Sequence, residues 1–202
     1  MPNWCATTIT LNCNNKKNAK FIYKNIEKWI SSTKVDNSWG FNWLGNILIN
    51  SGLYDSEDTN FPRCRGCITY LDKYEEQVVI DTETAWVPML RMWTEVCDKV
   101  FTGMVNEIMY TAEEPGCNLY WTNDPALLDQ WIFDSSGETE YDLSEKELRE
   151  RLLEFLPKEV RKWHDCDDIY ALAELCEKMQ TDEGDYLWVH KYEFVPLAEI
   201  GD

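Results

Sequence analysis

Met1-Pro2-Asn3-Trp4-Cys5 runs straight into Ala6-Thr7-Thr8-Ile9-Thr10-Leu11-Asn12, where Ile9 and Leu11 alternate with Thr8, Thr10 and Asn12. A period of two over a β-branched stretch predicts a strand with one apolar face and one threonine-rich face. Two further signals stand downstream, Thr84-Ala85-Trp86-Val87-Pro88 and Glu113-Glu114-Pro115-Gly116. Each falls where a strand ends or a helix begins, so the three together frame the fold.

Outward from that strand, residues 16–32 read as an amphipathic helix. Ala19, Ile22, Ile26, Trp29 and Ile30 form its stripe, with Lys16, Lys20, Lys24 and Lys28 on another face. Residues 34–65 read as an insertion holding one short helix or strand. Strands are expected at 66–73 and 77–85 with a hairpin turn between them. Pro88 is expected at the first position of a helix over 88–101, ended by Gly103. A strand over 104–112 follows, then Pro115-Gly116 as the corner of a type II turn, with Gly116 at positive φ. Residues 117–122 return as an antiparallel strand. Strand, helix, strand, strand, helix, strand is the split βαβ order, which predicts a four-stranded antiparallel sheet with both helices on one face.

Residues 125–202 read as an appendage packed on the core over 1–124. Gln130–Phe133 is a short strand. Ser144-Glu145-Lys146-Glu147 is a capping box opening a helix to Phe155, stopped by Pro157. Asp165 or Asp167 caps a helix with the stripe Ile169, Leu172, Ala173, Cys176 and Met179, and Tyr186–Leu197 alternates as a strand.

The chain has 202 residues, 44% hydrophobic and 28% charged, which suits one domain with an appendage or two small domains. Its charge is −18, and the excess is uneven: −5 over residues 1–124 and −13 over 125–202. Such a field repels phosphate backbones and anionic lipids and attracts basic partners, so direct nucleic-acid binding is disfavoured. No apolar run approaches the ~20 residues of a membrane span. The N-terminal stretch has neither the basic flank nor the apolar core of a secretory signal, so the eight cysteines are expected as reduced thiols in a cytosolic protein.

Pro2-Asn3-Trp4-Cys5, Trp39-Gly40 with Trp43, Thr84-Ala85-Trp86 with Pro88, and Tyr110 with Glu114-Pro115-Gly116 resemble, in order and spacing, the YubB-type ferredoxin-like domain family. The resemblance spans residues 1–124. It departs at Asn42 and Leu44, where that family carries a basic and an acidic residue, and at Met89, where a second proline often stands. It implies a ferredoxin-like fold and a phage- or plasmid-borne, mobile-element setting, and supplies no catalytic residue.

Candidate chemistry is sparse. Cys64-Arg65-Gly66-Cys67 lacks the second close ligand pair that structural zinc needs, and it precedes a strand rather than opening a helix that favours thiolate. His164-Asp165-Cys166-Asp167-Asp168 gathers a base, a thiol and carboxylates, which helix capping explains equally well. His190 sits within an alternating strand. Phosphate-cradling glycine motifs are absent, so no cofactor, metal or catalytic residue is assigned. Thr8, Thr10, Val79 and Asp81 on the open sheet face offer no stacking platform for RNA. The lysine helix remains as a weaker RNA-binding option.

The candidate binding residues are Trp39, Trp43, Trp86, Glu114 and Gly116, expected to converge at one sheet end either as packing or as a groove. The reading that results is a cytoplasmic, non-enzymatic interaction protein binding a protein partner with a basic surface, one version being anti-defence charge mimicry by carboxylates of residues 134–185. The alternative is a small-molecule or nucleotide-processing enzyme with a site near Trp86 and Glu114, using Glu83, Glu113 or Glu114.

Overall fold

The computed structural model describes residues 3–32, 42–58, 60–62, 64–161, 168–179 and 186–200. The fold class is α+β. The chain divides into two compact units, Met1–Asp124 with Phe194–Asp202, and Pro125–Glu193. Residues 194–202, grouped with the C-terminal part on charge, thus count with the first unit.

In the first unit β1 (Trp4–Cys13) pairs antiparallel with both β3 (Gln77–Ala85) and β4 (Val105–Glu114). β2 (Gly66–Tyr74) and β5 (Leu119–Thr122) flank these, and the two-residue β9 (Glu193–Phe194) closes the order β2-β3-β1-β4-β5-β9. The sequence predicts a four-stranded sheet followed by an antiparallel strand over 117–122; that strand is β5, paired with β4, and β9 adds a sixth. Alternation along β1 appears as expected. Cys5, Thr7, Ile9, Leu11 and Cys13 are buried, while Trp4, Ala6 and Thr8 are exposed.

Two helices cover the buried face. In α1 (Lys16–Ile30) Asn15 caps the start, its Oδ1 accepting from the N–H groups of Lys17 and Asn18 at 3.0 Å each. Ala19, Ile22, Ile26 and Trp29 are buried, and the lysines are exposed. In α3 (Leu90–Lys99) Leu90, Met92, Trp93, Val96 and Cys97 are buried. Both stripes join Ile9, Leu11 and Ile80 in one core, and Trp29 stacks on Phe101 with centroids 5.5 Å apart. The insertion holds a helix, α2 (Gly45–Asn50), because Ile47, Leu48 and Ile49 are all buried. Its Asn50 Nδ2 donates to the Trp29 carbonyl in the last turn of α1 and to the Ser32 carbonyl just beyond the helix.

Two turns differ from expectation. α3 starts at Leu90 with Met89 at its N-cap, so Pro88 lies in the preceding turn. The Thr84 hydroxyl takes the Val87 carbonyl at 2.8 Å, and that bond occupies the residues that would otherwise begin the helix. Pro115-Gly116 forms a 3-10 turn with Cys117, and the positive φ falls on Asn118 (54°), whose N–H bonds the Pro115 carbonyl at 3.0 Å.

The second unit carries a three-stranded antiparallel sheet, β7 (Thr139–Leu143), β6 (Trp131–Ser135) and β8 (Leu187–Lys191), in the order β7-β6-β8. The expected capping box is present at α4 (Glu145–Phe155), and α5 (Lys158–Arg161) and α6 (Ile169–Met179) follow. Asp165 and Asp167 lie outside the described residues; Asp168 Oδ1 accepts from the Tyr170 N–H at 2.9 Å. The strand expected over Tyr186–Leu197 stops at Lys191, since β8 joins one sheet and β9 the other. Leu148, Leu152, Leu172, Cys176 and Phe133 centre this unit's own core. Arg151 gathers three carboxylates, Glu138, Glu140 and Glu154, with its guanidinium 5.3 Å from the centre of the Phe133 ring. No helix among the described residues is long and apolar enough to cross a membrane.

Gly66 marks where β2 meets β3. A Cβ there would stand 2.3 Å from the Glu83 carbonyl oxygen, against backbone that cannot yield. Gly66→Ala is expected to cost about 2 to 3 kcal/mol in urea unfolding. Gly137→Ala, with nothing within 4 Å of the added carbon, should change stability by less than about 0.5 kcal/mol.

Candidate functional site

The chain turns sharply where β3 ends. The Val87 N–H returns to the Ala85 carbonyl at 3.0 Å, and Trp86 between them has φ 74°. That is a γ-turn of the rare positive-φ kind, strained for a bulky side chain. Two hydrogen bonds hold it: the Trp86 N–H donates to the Asn3 carbonyl at 2.9 Å, and Thr84 holds Val87 as above. The Trp86 side chain is left 44% exposed, so burial of the indole does not account for the strain.

Asn3 links this turn to the end of β4. A Cβ on Gly116 would lie 2.7 Å from Asn3 Nδ2 and 2.9 Å from Glu114 Oε1, so a larger residue there would push those two side-chain ends aside. Glu114 is 3% exposed, and its Oε2 has no hydrogen-bond partner among the described residues. The Cys117 thiol bonds to Glu114, which raises the pKa of that thiol. Such a thiol is held protonated, the reverse of an activated nucleophile. Burial likewise pushes Cys5 and Cys13 up to about 11 and Cys97 to about 12.

Of the five predicted binding residues, Trp86, Glu114 and Gly116 come together around Asn3. Trp43 serves packing. Its indole N–H donates to the Cys64 carbonyl at 2.7 Å, its ring stacks on Phe61, and the face of that ring would meet any Cβ on Gly45 at 2.4 Å. Trp39 lies outside the described residues, as do His164 and Cys166. Cys64 and Cys67 are not disulfide-bonded, and Cys64 Sγ lies 4.0 Å from Met92 Sδ. Burial lowers the pKa of the half-buried His190. No group of three or more His, Cys, Asp or Glu side chains among the described residues is placed to hold a metal ion.

Sequence reasoning named Glu83 and Glu113 as candidates near Trp86, but missed the cleft they line with Ala6 and Thr8 on the open face of the sheet. An open cleft of about 300 Å³ is lined by Ala6, Thr8, Thr69, Asp81, Glu83, Thr111 and Glu113, together with Thr7 and Thr82. Register explains it. Ala6 pairs with Glu83 on one side and Glu113 on the other, and Thr8 pairs with Asp81 and Thr111. The small Ala6 side chain leaves a notch between two glutamates about 10 Å apart at their Cα atoms. Thr8 Oγ1 donates to Asp81 Oδ1 at 2.8 Å and fixes that carboxylate at the rim. On β2, Tyr70 and Tyr74 are exposed, their hydroxyls 2.7 Å apart, and Tyr70 also donates to Asp72. No family model, curated protein or solved structure matches the chain.

Two outcomes follow from this geometry. Trp86→Gly should be more stable than Trp86→Ala by about 1 kcal/mol in urea unfolding, because only glycine accepts the positive φ without strain. In timed alkylation mapped by mass spectrometry, the exposed Cys117 should be modified before Cys5, Cys13, Cys97 and Cys176. Its rate should climb steeply as pH rises, since bonding to Glu114 raises its pKa.

Proposed function

We propose that this chain is a non-enzymatic interaction protein of a mobile genetic element that binds a protein partner through a basic surface of that partner. Its first unit is read as ferredoxin-like, a reading supported by the strand order β2-β3-β1-β4 and by two helices sharing one core. The observation that carries the proposal is the composition of the open sheet face. Register aligns Asp72, Asp81, Glu83, Glu107 and Glu113 on that face with Thr8, Thr10 and Asn12, and no Lys or Arg occupies its positions on β1 to β4. A surface of one sign repels nucleic acid and speeds encounter with a basic protein.

Charge mimicry is the concrete version, and it includes the acidic second unit. There, however, Glu138, Glu140 and Glu154 surround Arg151, while Glu145, Glu150 and Glu174 pair with Arg149, Lys146 and Lys178. Those pairs reduce the field that unit presents, so the sheet face is the stronger candidate surface. The enzyme reading finds a cleft containing Glu83 and Glu113. A nucleotide's phosphates would meet carboxylates there and none of the basic side chains they require.

Affinity capture from a bacterial host, followed by binding measured with the purified partner, tests the proposal. The partner should carry a basic surface, and its affinity should fall at least about tenfold between roughly 50 and 500 mM salt. A partner whose binding ignores salt would count against it.

A further inference from the structure

Resting on that reading, we infer that the notch over Ala6 receives an arginine side chain from an exposed basic segment of the partner. The open sheet face is the docking surface, and charge complementarity names its occupant. Every polar side chain lining the notch is a carboxylate or a threonine hydroxyl, and none is basic. Glu83 and Glu113 flank a floor of Ala6 and Thr8, with Asp81 one register step along.

A guanidinium suits this arrangement better than an ammonium ion. Its planar fork of five N–H donors can reach carboxylates on opposite walls at once, and it sheds its hydration more readily than lysine does. The long aliphatic stem needs an apolar path to the notch. Tyr70 pairs in register with Asp81, placing an exposed aromatic ring beside the rim. The hydroxyls of Tyr70 and Tyr74 are tied to one another and to Asp72, so their rings lose little freedom when a stem or guanidinium packs on them. Thr8 likewise holds Asp81 before any ligand arrives.

The probe is an oligo-arginine peptide titrated into the ¹⁵N-labelled full chain at low salt, with the oligo-lysine peptide as comparison. Shift changes should centre on Ala6, Thr8, Asp81, Glu83 and Glu113, and arginine should bind about threefold tighter than lysine. Ala6→Leu fills the notch without altering charge and should weaken binding about tenfold, as should the double variant Glu83→Gln, Glu113→Gln. Glu57→Gln, which removes one exposed carboxylate elsewhere, should change it less than about twofold. Unfolding curves confirm that each variant is folded, and the double variant decides the matter if Ala6→Leu is not. Arginine binding that centres elsewhere, or that survives both changes, overturns the notch while leaving the interaction reading standing. No arginine binding at low salt, together with a captured partner indifferent to salt, overturns both.

Discussion

Ile9 lies between Ile80 on one neighbouring strand and Tyr110 on the other, and that double pairing of β1 organises the first unit. Because side chains alternate across a strand, shifting β1 by one residue would turn Ile9 and Leu11 to solvent and bury Thr8 and Thr10. The core formed with α1 and α3 forbids that slip. The same register brings Ala6 between Glu83 and Glu113. Hydrophobic burial on one face therefore dictates which polar groups meet on the other, and the acidic notch follows from how the apolar side packs.

Much of this architecture was legible from periodicity. The alternation of β1, the stripes of α1 and α3, the β2–β3 hairpin and the Ser144 capping box all depend on local spacing, and local spacing is what a sequence displays. What escaped depends on contacts between distant segments. Pro115-Gly116 fits a type II turn by composition, yet it forms a 3-10 turn whose Gly116 is approached closely by Asn3, more than a hundred residues earlier. In β7 Tyr141 and Leu143 alternate with Glu140 and Asp142, but over only five residues, and a register shift with a positive φ at Asp142 leaves Tyr141 exposed, so the short pattern gives no buried face. Nothing in local propensity predicts a tryptophan at the centre of a γ-turn. The notch is invisible in sequence for a similar reason: Ala6, Glu83 and Glu113 become neighbours only through strand pairing.

Charge is distributed differently from what its totals suggest. The second unit holds the larger negative excess, but Arg151 alone engages three of its carboxylates while resting against Phe133 and Phe155. A guanidinium so placed binds β7 to α4 and consumes field locally. The first unit is less acidic in sum, yet it aligns five carboxylates on one face. Arrangement, more than total charge, sets how strongly a surface attracts a distant cation.

The outer margin of β2 has a consequence of another kind. Its first residues are already occupied: the Ile68 N–H donates to the Asn42 carbonyl and the Leu44 N–H to the Gly66 carbonyl, with Trp43 bridging Cys67. Beyond them a bulge between Ile68 and Tyr70 breaks the even run of backbone donors and acceptors. A visiting strand finds no straight ladder along the length of β2, so copies of this chain are hindered from pairing at that edge. At that margin, contact through side chains displayed broadside is favoured over extension of the sheet.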